Sequence, residues 1–462
     1  YTADELSKHD AVSVDVLDRL PCPYGLLRYG VAPDHLKMKS LEITLRKILE
    51  RPGVRFLGGV ELGSGITVDD LRECYDAVVY ATGSAVDRRL SIPGEDLSGS
   101  FSATEFVAWY CGHPDAEVDA FTLDARSAVV VGVGNVAVDV ARILAKTAQD
   151  LHATDMPEHV LNVLDSSAIS DIYIVGRRGP AQAKFTTKEL RELGELASAD
   201  VVVDPAELVL DQASKELAET NKTVRRNLDT LQEWSTRPQC GRARRIHLRF
   251  LLAPVAVLGT GQVEAVQCER NALDGSGGVT GTGETVTLEA QLLLRSVGYR
   301  GLPLPGVPFD DRSGVIPHVI GRVQRDGCTA AGEYVVGWIK RGATGVIGTN
   351  KGDAKETVEQ LLADLDTLPR APQRWCCEGR RADTARTICP ESVVVEPTNA
   401  PDGWLPPRRA AGRLRCKSEQ LREEPPCCSA ALPVHCLPLY PSLTAWRPCS
   451  TRSRRLNQPH RC

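Results

Sequence analysis

The chain has 462 residues, of which 42% are hydrophobic and 25% are charged, and its formal net charge is −5 at pH 7. This length predicts two or three domains, and the composition is ordinary for a soluble protein. The small negative charge gives no reason to expect nucleic acid as a partner. The sequence contains no run of 18 apolar residues, so it predicts no membrane-spanning helix.

The first hundred residues predict a sheet with helices between its strands. We expect a strand over 12–17 that ends at Asp18, a helix over 40–51, strands over 54–59 and 66–68, and a helix over 69–74. A buried strand then runs over 76–80 into the turn Ala81-Thr82-Gly83. Such a turn commonly closes a dinucleotide-binding domain, because its glycine lets the chain pass close to the cofactor.

The most informative stretch is an apolar β-branched run over 129–131, followed by Gly-Val-Gly-Asn-Val-Ala and a helix-forming run. Gly132 would make the tight turn, and Gly134 would let a pyrophosphate approach the backbone. Ala137 would allow close packing of helix and strand, and the helix N-terminus would face the phosphates. This order predicts a dinucleotide site.

The next strand indicates which dinucleotide binds. It is predicted over 171–176 and ends in Arg177 and Arg178. An acidic residue there would accept the ribose 2′-OH of NAD, whereas two guanidinium groups would pair with the 2′-phosphate of NADP. Because the pair follows Gly134 by 43 residues, beyond the usual spacing of about 20, we predict an insertion over 147–170. The alternative is a plain glycine turn with two solvated arginines.

Later segments complete the predicted architecture. Helices are expected over 187–197 and 213–234, a hairpin or loop over 275–283, strands over 292–295 and 334–338, and a helix over 351–365. We predict an α/β protein with two Rossmann-like dinucleotide-binding domains. The NADP domain would span 105–300, and a discontinuous FAD domain would surround it at 1–104 and 301–366. Two adjacent dinucleotides imply electron transfer between a nicotinamide and a flavin.

The FAD domain lacks its expected beginning. A first strand and a glycine fingerprint should precede Asp18, and residues 1–8 resemble only the end of the helix that would follow them. We therefore expect a chain truncated at its start. Asp18 would accept the ribose hydroxyls of FAD, or it is a turn residue before Pro21.

The end of the chain, 367–462, predicts an irregular or disordered tail. Its residues from 371 onward hold 9 of the 15 cysteines and 13 of the 29 prolines, without apolar periodicity. A disulfide or metal module, a disordered basic tail and a shifted reading frame are three explanations. We favour the shifted frame.

Five motifs resemble the adrenodoxin reductase family, the NADPH–ferredoxin reductases of glutathione-reductase type, and especially its bacterial branch. The resemblance covers about 1–366. Its motifs are PYGLLRYGVAPDH at 23–35, IPGE at 92–95, GNVAVD at 134–139, GRRGPAQAKFTTKELREL at 176–193 and GWIKRGATGVIGTN at 337–350.

The resemblance implies roles for particular residues. Arg177 and Arg178 would hold the 2′-phosphate, and Glu189 would help to seat the nicotinamide. His35 and Glu192 would handle protons or place the nicotinamide near the flavin. The other cofactor-binding positions that it implies are Leu26, Asn135, Val136, Trp338, Gly345, Val346 and Ile347. Without the resemblance, His35 could simply cap a turn, and Glu192 could form a solvated ion pair on its helix.

We predict a reductase that passes electrons from NADPH through FAD to a ferredoxin-type iron–sulfur protein, with no metal site. A cytoplasmic location is expected, because the six cysteines before 371 are scattered. One alternative is a flavin disulfide reductase, although the sequence has no C-x-x-C pair. The other is a truncated, non-catalytic remnant that still binds a cofactor.

Overall fold

The computed structural model describes residues 1–345 and 347–372. Of the sequence-based predictions, Val346 and the tail from residue 373 lie outside the described residues. The strands are β1 Val14–Asp18, β2 Val54–Gly58, β3 Val78–Tyr80, β4 Val86–Asp87, β5 Ser100–Ser102, β6 Ser127–Val131, β7 Asp171–Val175, β8 Ala199–Val203, β9 Arg244–Arg249, β10 Leu252–Leu258, β11 Ala265–Leu273, β12 Val279–Glu289, β13 Leu292–Arg295, β14 Tyr299–Arg300, β15 His318–Val319, β16 Arg322–Arg325 and β17 Cys328–Val335.

The helices are α1 Thr2–Leu6, α2 Leu26–Tyr29, α3 Leu36–Lys39, α4 Leu41–Leu49, α5 Val68–Cys74, α6 Ala103–Tyr110, α7 Asn135–Ala145, α8 Ala148–Leu151, α9 Glu158–Asp165, α10 Thr187–Gly194, α11 Gln212–Thr220, α12 Lys222–Thr236, α13 Trp338–Arg341 and α14 Ile347–Asp364. Short 3₁₀ turns lie at Pro180–Gln182 and Pro205–Leu208. Within the described ranges, no helix has the length and apolar content that a bilayer crossing requires.

A six-stranded parallel sheet forms the larger layer, in the order β5-β13-β6-β7-β9-β8. Alternate residues of its strands point to opposite faces. Val130 packs in the core that contains α6 and α7, whereas Val129 and Val131 pack in the core shared with the antiparallel sheet β10-β11-β12. The sheet therefore lies between a helical layer and a second sheet. Strand β5 lies just before residue 105, the predicted domain boundary.

The other domain contains the parallel pair β1–β2 and the four-stranded sheet β15-β16-β17-β3. Its last parallel pair joins Glu333–Val335 of β17 to Val78–Tyr80 of β3. Strands β4 and β14 pair antiparallel to each other. The architecture confirms the predicted α/β class with two Rossmann-like domains.

Two predicted elements were wrong, in both cases because a polar cap overrides the apolar pattern. The strand over 66–68 does not form, since Thr67 Oγ1 accepts a hydrogen bond from the Asp70 N–H at 3.1 Å and begins α5. The single helix over 213–234 is two helices. Asn221 Oδ1 accepts from the Thr223 and Val224 N–H groups and starts α12.

Candidate active site

The glycine turn lies at the carboxyl end of β6. Gly132 has φ +136°, and a Cβ atom there would lie 2.1 Å from the Ser296 carbonyl oxygen, so no other residue fits. Gly134 precedes α7 as its N-cap, and a Cβ atom there would meet nothing within 4 Å. The free N–H groups at the start of α7 lie next to this open space, while Ala137 is fully buried behind it. The turn thus leaves room for an anionic ligand at a helix N-terminus.

A hydrogen bond joins the N-terminus of α10 to the N-terminus of α7. Asn135 Oδ1 accepts a hydrogen bond from the Thr186 N–H at 2.8 Å. Thr186 is the N-cap of α10 and accepts from the Glu189 N–H at 3.5 Å. Glu189 is buried, and its Oε2 atom has no hydrogen-bond partner among the described residues. A buried carboxylate oxygen needs a donor, so this position fits a ligand with N–H or O–H groups.

The two arginines lie at the same edge of the sheet. The Gly132 N–H donates to the Val175 carbonyl at 2.9 Å, which places the end of β7 beside the glycine turn. Arg177 is exposed and Arg178 is half-buried, and neither has an acidic partner in the part of the chain that the structure describes. Two guanidinium groups that no described carboxylate neutralises, beside a turn with room for an anion, fit a phosphate.

Neighbouring arginines are neutralised, unlike this pair. Arg249 at the end of β9 donates to Glu207 at 2.9 Å, and Arg270 lies 3.9 Å from the same carboxylate. Glu207 is 3% exposed and also accepts from the Phe250 N–H at 2.7 Å. The positive charge left for a ligand therefore belongs to Arg177 and Arg178.

A buried ionic cluster contains both predicted catalytic residues. The Nε2 atom of His35 lies 2.9 Å from Asp139 Oδ1 and 3.0 Å from a guanidinium nitrogen of Arg142. On the other side of the ring, Nδ1 lies 3.8 Å from Glu192 Oε2. Glu192 also pairs with Lys188 at 2.8 Å, so the ion pair that the sequence offered as an alternative role is present as well. The fold brings His35 and Glu192 together although 157 positions separate them.

Arg142 connects this cluster to a third carboxylate, that of Asp34. It is 2% exposed and donates to both Asp34 oxygens, at 2.7 and 2.8 Å, and to Asp139 at 2.7 Å. Burial by itself would lower the pKa of Arg142, but the hydrogen bond to Asp34 and the charge of Asp139 outweigh it, and the pKa lies above its ordinary value. Arg142 is therefore a permanent positive charge between two acids.

The segment after β17 carries the aromatic residue implied for the flavin. Trp338 stacks on Tyr299 with ring centroids 5.5 Å apart, and its indole N–H is buried without a partner among the described residues. Asp353 of α14 accepts from the Gly337 N–H and from Arg341, at 3.1 Å for the latter, which holds the turn before Trp338. A cavity of about 450 Å³ lies beside it, lined by residues that include Tyr299, Lys340 and Gly342.

Comparison with known proteins identifies the family. A family model described as pyridine nucleotide-disulphide oxidoreductase matches residues 16–174. The chain is 49% identical over 360 residues to NADPH-ferredoxin reductase FprA of Mycobacterium tuberculosis, which covers 77% of each protein. It is 39% identical over 387 residues to the mitochondrial NADPH:adrenodoxin oxidoreductase of Arabidopsis thaliana, covering 79% of this chain and 80% of that protein. The chain belongs to the adrenodoxin reductase family. The recognition drawn from the motifs is thereby confirmed.

A solved structure of a family member has the same fold. The structure of FprA from Mycobacterium tuberculosis in complex with NADPH has a TM-score of 0.74 and 47% identity, over 79% of this chain and 82% of that chain. The NADP(H) and FAD cofactors predicted from the sequence agree with this family.

The remaining residues predicted to bind FAD lie on separate elements of the fold. Asp18 Oδ1 accepts from the Leu20 N–H at 2.9 Å, which is the turn role offered as its alternative. Leu26 is 53% exposed on α2. Ile347 begins α14, and a Cβ atom at Gly345 would lie 2.6 Å from the Thr349 hydroxyl. The role of each in binding FAD stays a prediction.

Sequence reasoning missed three acidic and basic partners in this adrenodoxin reductase relative. Asp34, Asp139 and Arg142 were given no role, yet Asp139 and Arg142 contact the His35 ring and Asp34 holds Arg142. One signal was present, because Asp139 and Arg142 stand three residues apart in a helix that is otherwise apolar over 136–145. Asp353 was missed too, and nothing in its sequence context marked it.

Proposed function

We propose that this chain passes electrons from NADPH through FAD to a ferredoxin-type iron–sulfur protein. The observation that carries the proposal is the arginine pair at the strand end beside the glycine turn, a pair that has no acidic partner within 1–345 and 347–372. That arrangement fits a dinucleotide with a 2′-phosphate, and membership of the adrenodoxin reductase family supplies the reaction class.

NADPH would lie across the carboxyl edge of the six-stranded sheet. Its pyrophosphate would occupy the space next to Gly134, where the α7 N–H groups point outward. Its 2′-phosphate would be held by Arg177 and Arg178. Glu189 would receive a hydrogen bond from the nicotinamide end through the oxygen that lacks a partner. Each contact uses a group that the described residues leave unsatisfied.

The residues around Trp338 fit FAD, because its indole ring stacks on Tyr299 and its buried N–H finds no acceptor among the residues that the structure describes. When bound, FAD would accept a hydride from NADPH and return the two electrons singly. The protein would contribute the placement of the two rings and the exclusion of water. Trp338 and the backbone at Gly345 and Ile347 are the residues that would hold the flavin.

His35 and Glu192 would manage charge where the two domains meet. The imidazole is fixed by Asp139 and Arg142 on one side, so it faces Glu192 in one orientation. An imidazole carries a ring nitrogen that can donate a proton and one that can accept it, and a carboxylate beside it can share that proton. We therefore propose that this pair handles the proton that accompanies reduction, or places the nicotinamide ring.

We also propose a cytoplasmic location. All six cysteines of the described part are free, as expected in a reducing compartment. The electron acceptor would be a small iron–sulfur protein, in agreement with the names of the relatives.

Visible absorbance spectroscopy tests the proposal. The purified chain is incubated with FAD, freed of excess cofactor and titrated with NADPH under anaerobic conditions, with NADH as the control. We expect a bound flavin spectrum that bleaches with NADPH more readily than with NADH, and that returns when oxidised ferredoxin is added.

Three outcomes would contradict the proposal. A chain that binds no flavin would favour a cofactor-binding remnant without turnover. A flavin that is reduced by NADPH but reoxidised by a disulfide and not by ferredoxin would favour the disulfide reductase. Equal reduction by NADH and NADPH would contradict the 2′-phosphate site.

A further inference from the structure

The backbone of the arginine pair is held at three successive carbonyl groups. The Gly176 carbonyl accepts from the Leu252 N–H at 3.0 Å, and the Arg178 carbonyl accepts from the Leu251 N–H at 3.1 Å. Between them, the Arg177 carbonyl accepts from the side-chain amide of Asn271 at 2.7 Å. Thus no described acidic residue pairs with the side chains of the pair, while the main chain that carries them is fixed.

Asn271 is built into the hairpin of β10 and β11 for this contact. Its own N–H donates to the Leu251 carbonyl at 2.7 Å, and Leu251 adopts a left-handed conformation with φ +57°. The pairing of β11 with β12 shifts register between Glu269 and Asn271. Such an irregularity redirects a side chain, and here Asn271 is 7% exposed and its amide points at the Arg177 carbonyl.

We propose that Asn271 is a positioning residue for the 2′-phosphate of NADPH. It acts through the Arg177–Arg178 peptide, because the direction of that peptide plane sets the directions in which the two side chains leave the backbone. The inference rests on the proposed NADP(H) site and adds a determinant of coenzyme preference that lies on another sheet.

The physical reason is pre-organisation. An exposed arginine loses rotational freedom when it binds a phosphate, and a backbone that also had to become ordered would weaken binding further. The three carbonyl contacts hold the backbone before the ligand arrives. Two of them come from main-chain N–H groups that any residue supplies, so only the middle contact depends on the identity of a side chain.

The first test measures binding of 2′,5′-ADP and of 5′-ADP by isothermal titration calorimetry to the full chain and to Asn271→Leu. Leucine has a similar size but no donor. We expect 2′,5′-ADP to bind about three- to tenfold more weakly to the variant, the equivalent of one hydrogen bond, and 5′-ADP to bind as before. In steady-state kinetics, KM for NADPH should rise by the same factor, with kcat and KM for NADH unchanged.

Two further variants serve as controls, one for misfolding of Asn271→Leu and one for the loss of a hydrogen bond elsewhere in the same sheet. Asn271→Asp keeps the size and also removes the donor, so it should show the same selective loss if Asn271→Leu does not fold. Thr282→Val removes a comparable contact of β12, in which the Thr282 hydroxyl donates to the Arg270 carbonyl at 2.8 Å. This control should leave the preference for 2′,5′-ADP unchanged.

The outcomes separate the inference from the function on which it rests. Unchanged 2′,5′-ADP affinity in Asn271→Leu and Asn271→Asp, or an equal loss for 5′-ADP, would overturn the role of Asn271. A wild-type chain that does not prefer 2′,5′-ADP would overturn it together with the NADP(H) site. Lack of ferredoxin reduction would count against the proposed function only, since nucleotide binding needs neither flavin nor ferredoxin.

Discussion

The guanidinium of Arg142 in α7 donates two hydrogen bonds, of 2.7 and 2.8 Å, to the carboxylate of Asp34, which lies 108 positions earlier in the sequence. Lys146 adds a third contact to Asp34 at 2.7 Å, one turn further along α7. The loop that carries His35 is thereby joined to the helix that begins at the glycine turn. This joint connects the predicted coenzyme site to the predicted catalytic histidine.

Removal of the Arg142 charge should destabilise the protein strongly. In Arg142→Met, Asp34 and Asp139 would remain buried without their main counter-charge, and we expect a loss of about 3–5 kcal/mol in the free energy of unfolding. Urea denaturation measures it. The matched control is Arg237→Met, which breaks an exposed pair with Glu233 and should cost less than about 1 kcal/mol. Similar losses in both variants would contradict the role of the buried cluster.

The contribution of Asp34 should depend on pH. Burial by itself would raise the pKa of Asp34, but the hydrogen bond and charge of Arg142, with Lys146, outweigh it and lower the pKa below its usual value. Ionised Asp34 therefore stabilises the fold above its unfolded-state pKa of about 4, and this stabilisation is lost as pH falls through the folded-state pKa. The difference in unfolding free energy between wild type and Asp34→Asn should be largest near neutral pH and shrink below about pH 4. A difference that grows on acidification would refute this assignment.

The two glycines of the turn should respond differently to the same substitution. Gly132→Ala places a methyl group 2.1 Å from the Ser296 carbonyl oxygen at a left-handed backbone position, so we expect a stability loss of about 3 kcal/mol or more. Gly134→Ala meets no protein atom within 4 Å and should change stability by less than about 1 kcal/mol.

Gly134→Ala should nevertheless weaken NADPH, because its methyl group would occupy the space that the pyrophosphate needs. We expect at least about a tenfold increase in the dissociation constant, which corresponds to about 1.4 kcal/mol. Calorimetric titration of the folded variant measures it. Wild-type affinity in Gly134→Ala would show that the phosphates bind elsewhere.

Substitution of the arginine pair should change the preference between coenzymes. Arg177→Ala or Arg178→Ala should weaken NADPH relative to NADH by about 1–3 kcal/mol, since each removes a charge-assisted contact to the 2′-phosphate. The ratio of kcat/KM for the two coenzymes is the measurement. Arg249→Ala is unsuitable as a control because it would remove the main cationic partner of the buried Glu207, whereas Arg237→Ala leaves the site intact. An equal loss for both coenzymes would speak against the 2′-phosphate contact.

Much of the fold and part of the candidate site could be predicted from local sequence motifs. The glycine turn, the arginine pair and the strand before Ala81-Thr82-Gly83 could be placed from the sequence, because each depends on residues within one short segment. The roles predicted for His35 and Glu192 came only from the family resemblance. Their contact was not predicted, since spacing along a chain does not reveal contacts between distant segments. Asn271 could not be found at all, because its role arises from a register shift between two strands of another sheet.

Helix α7 has 11 residues and is therefore about 16 Å long, with the glycine turn at one end and Arg142 in its last turn. Asp139 and Arg142 of this helix contact the His35 ring. We therefore expect a nucleotide bound at the first turn of α7 to change the imidazole NMR resonances of His35 in the oxidised protein, before any electron transfer.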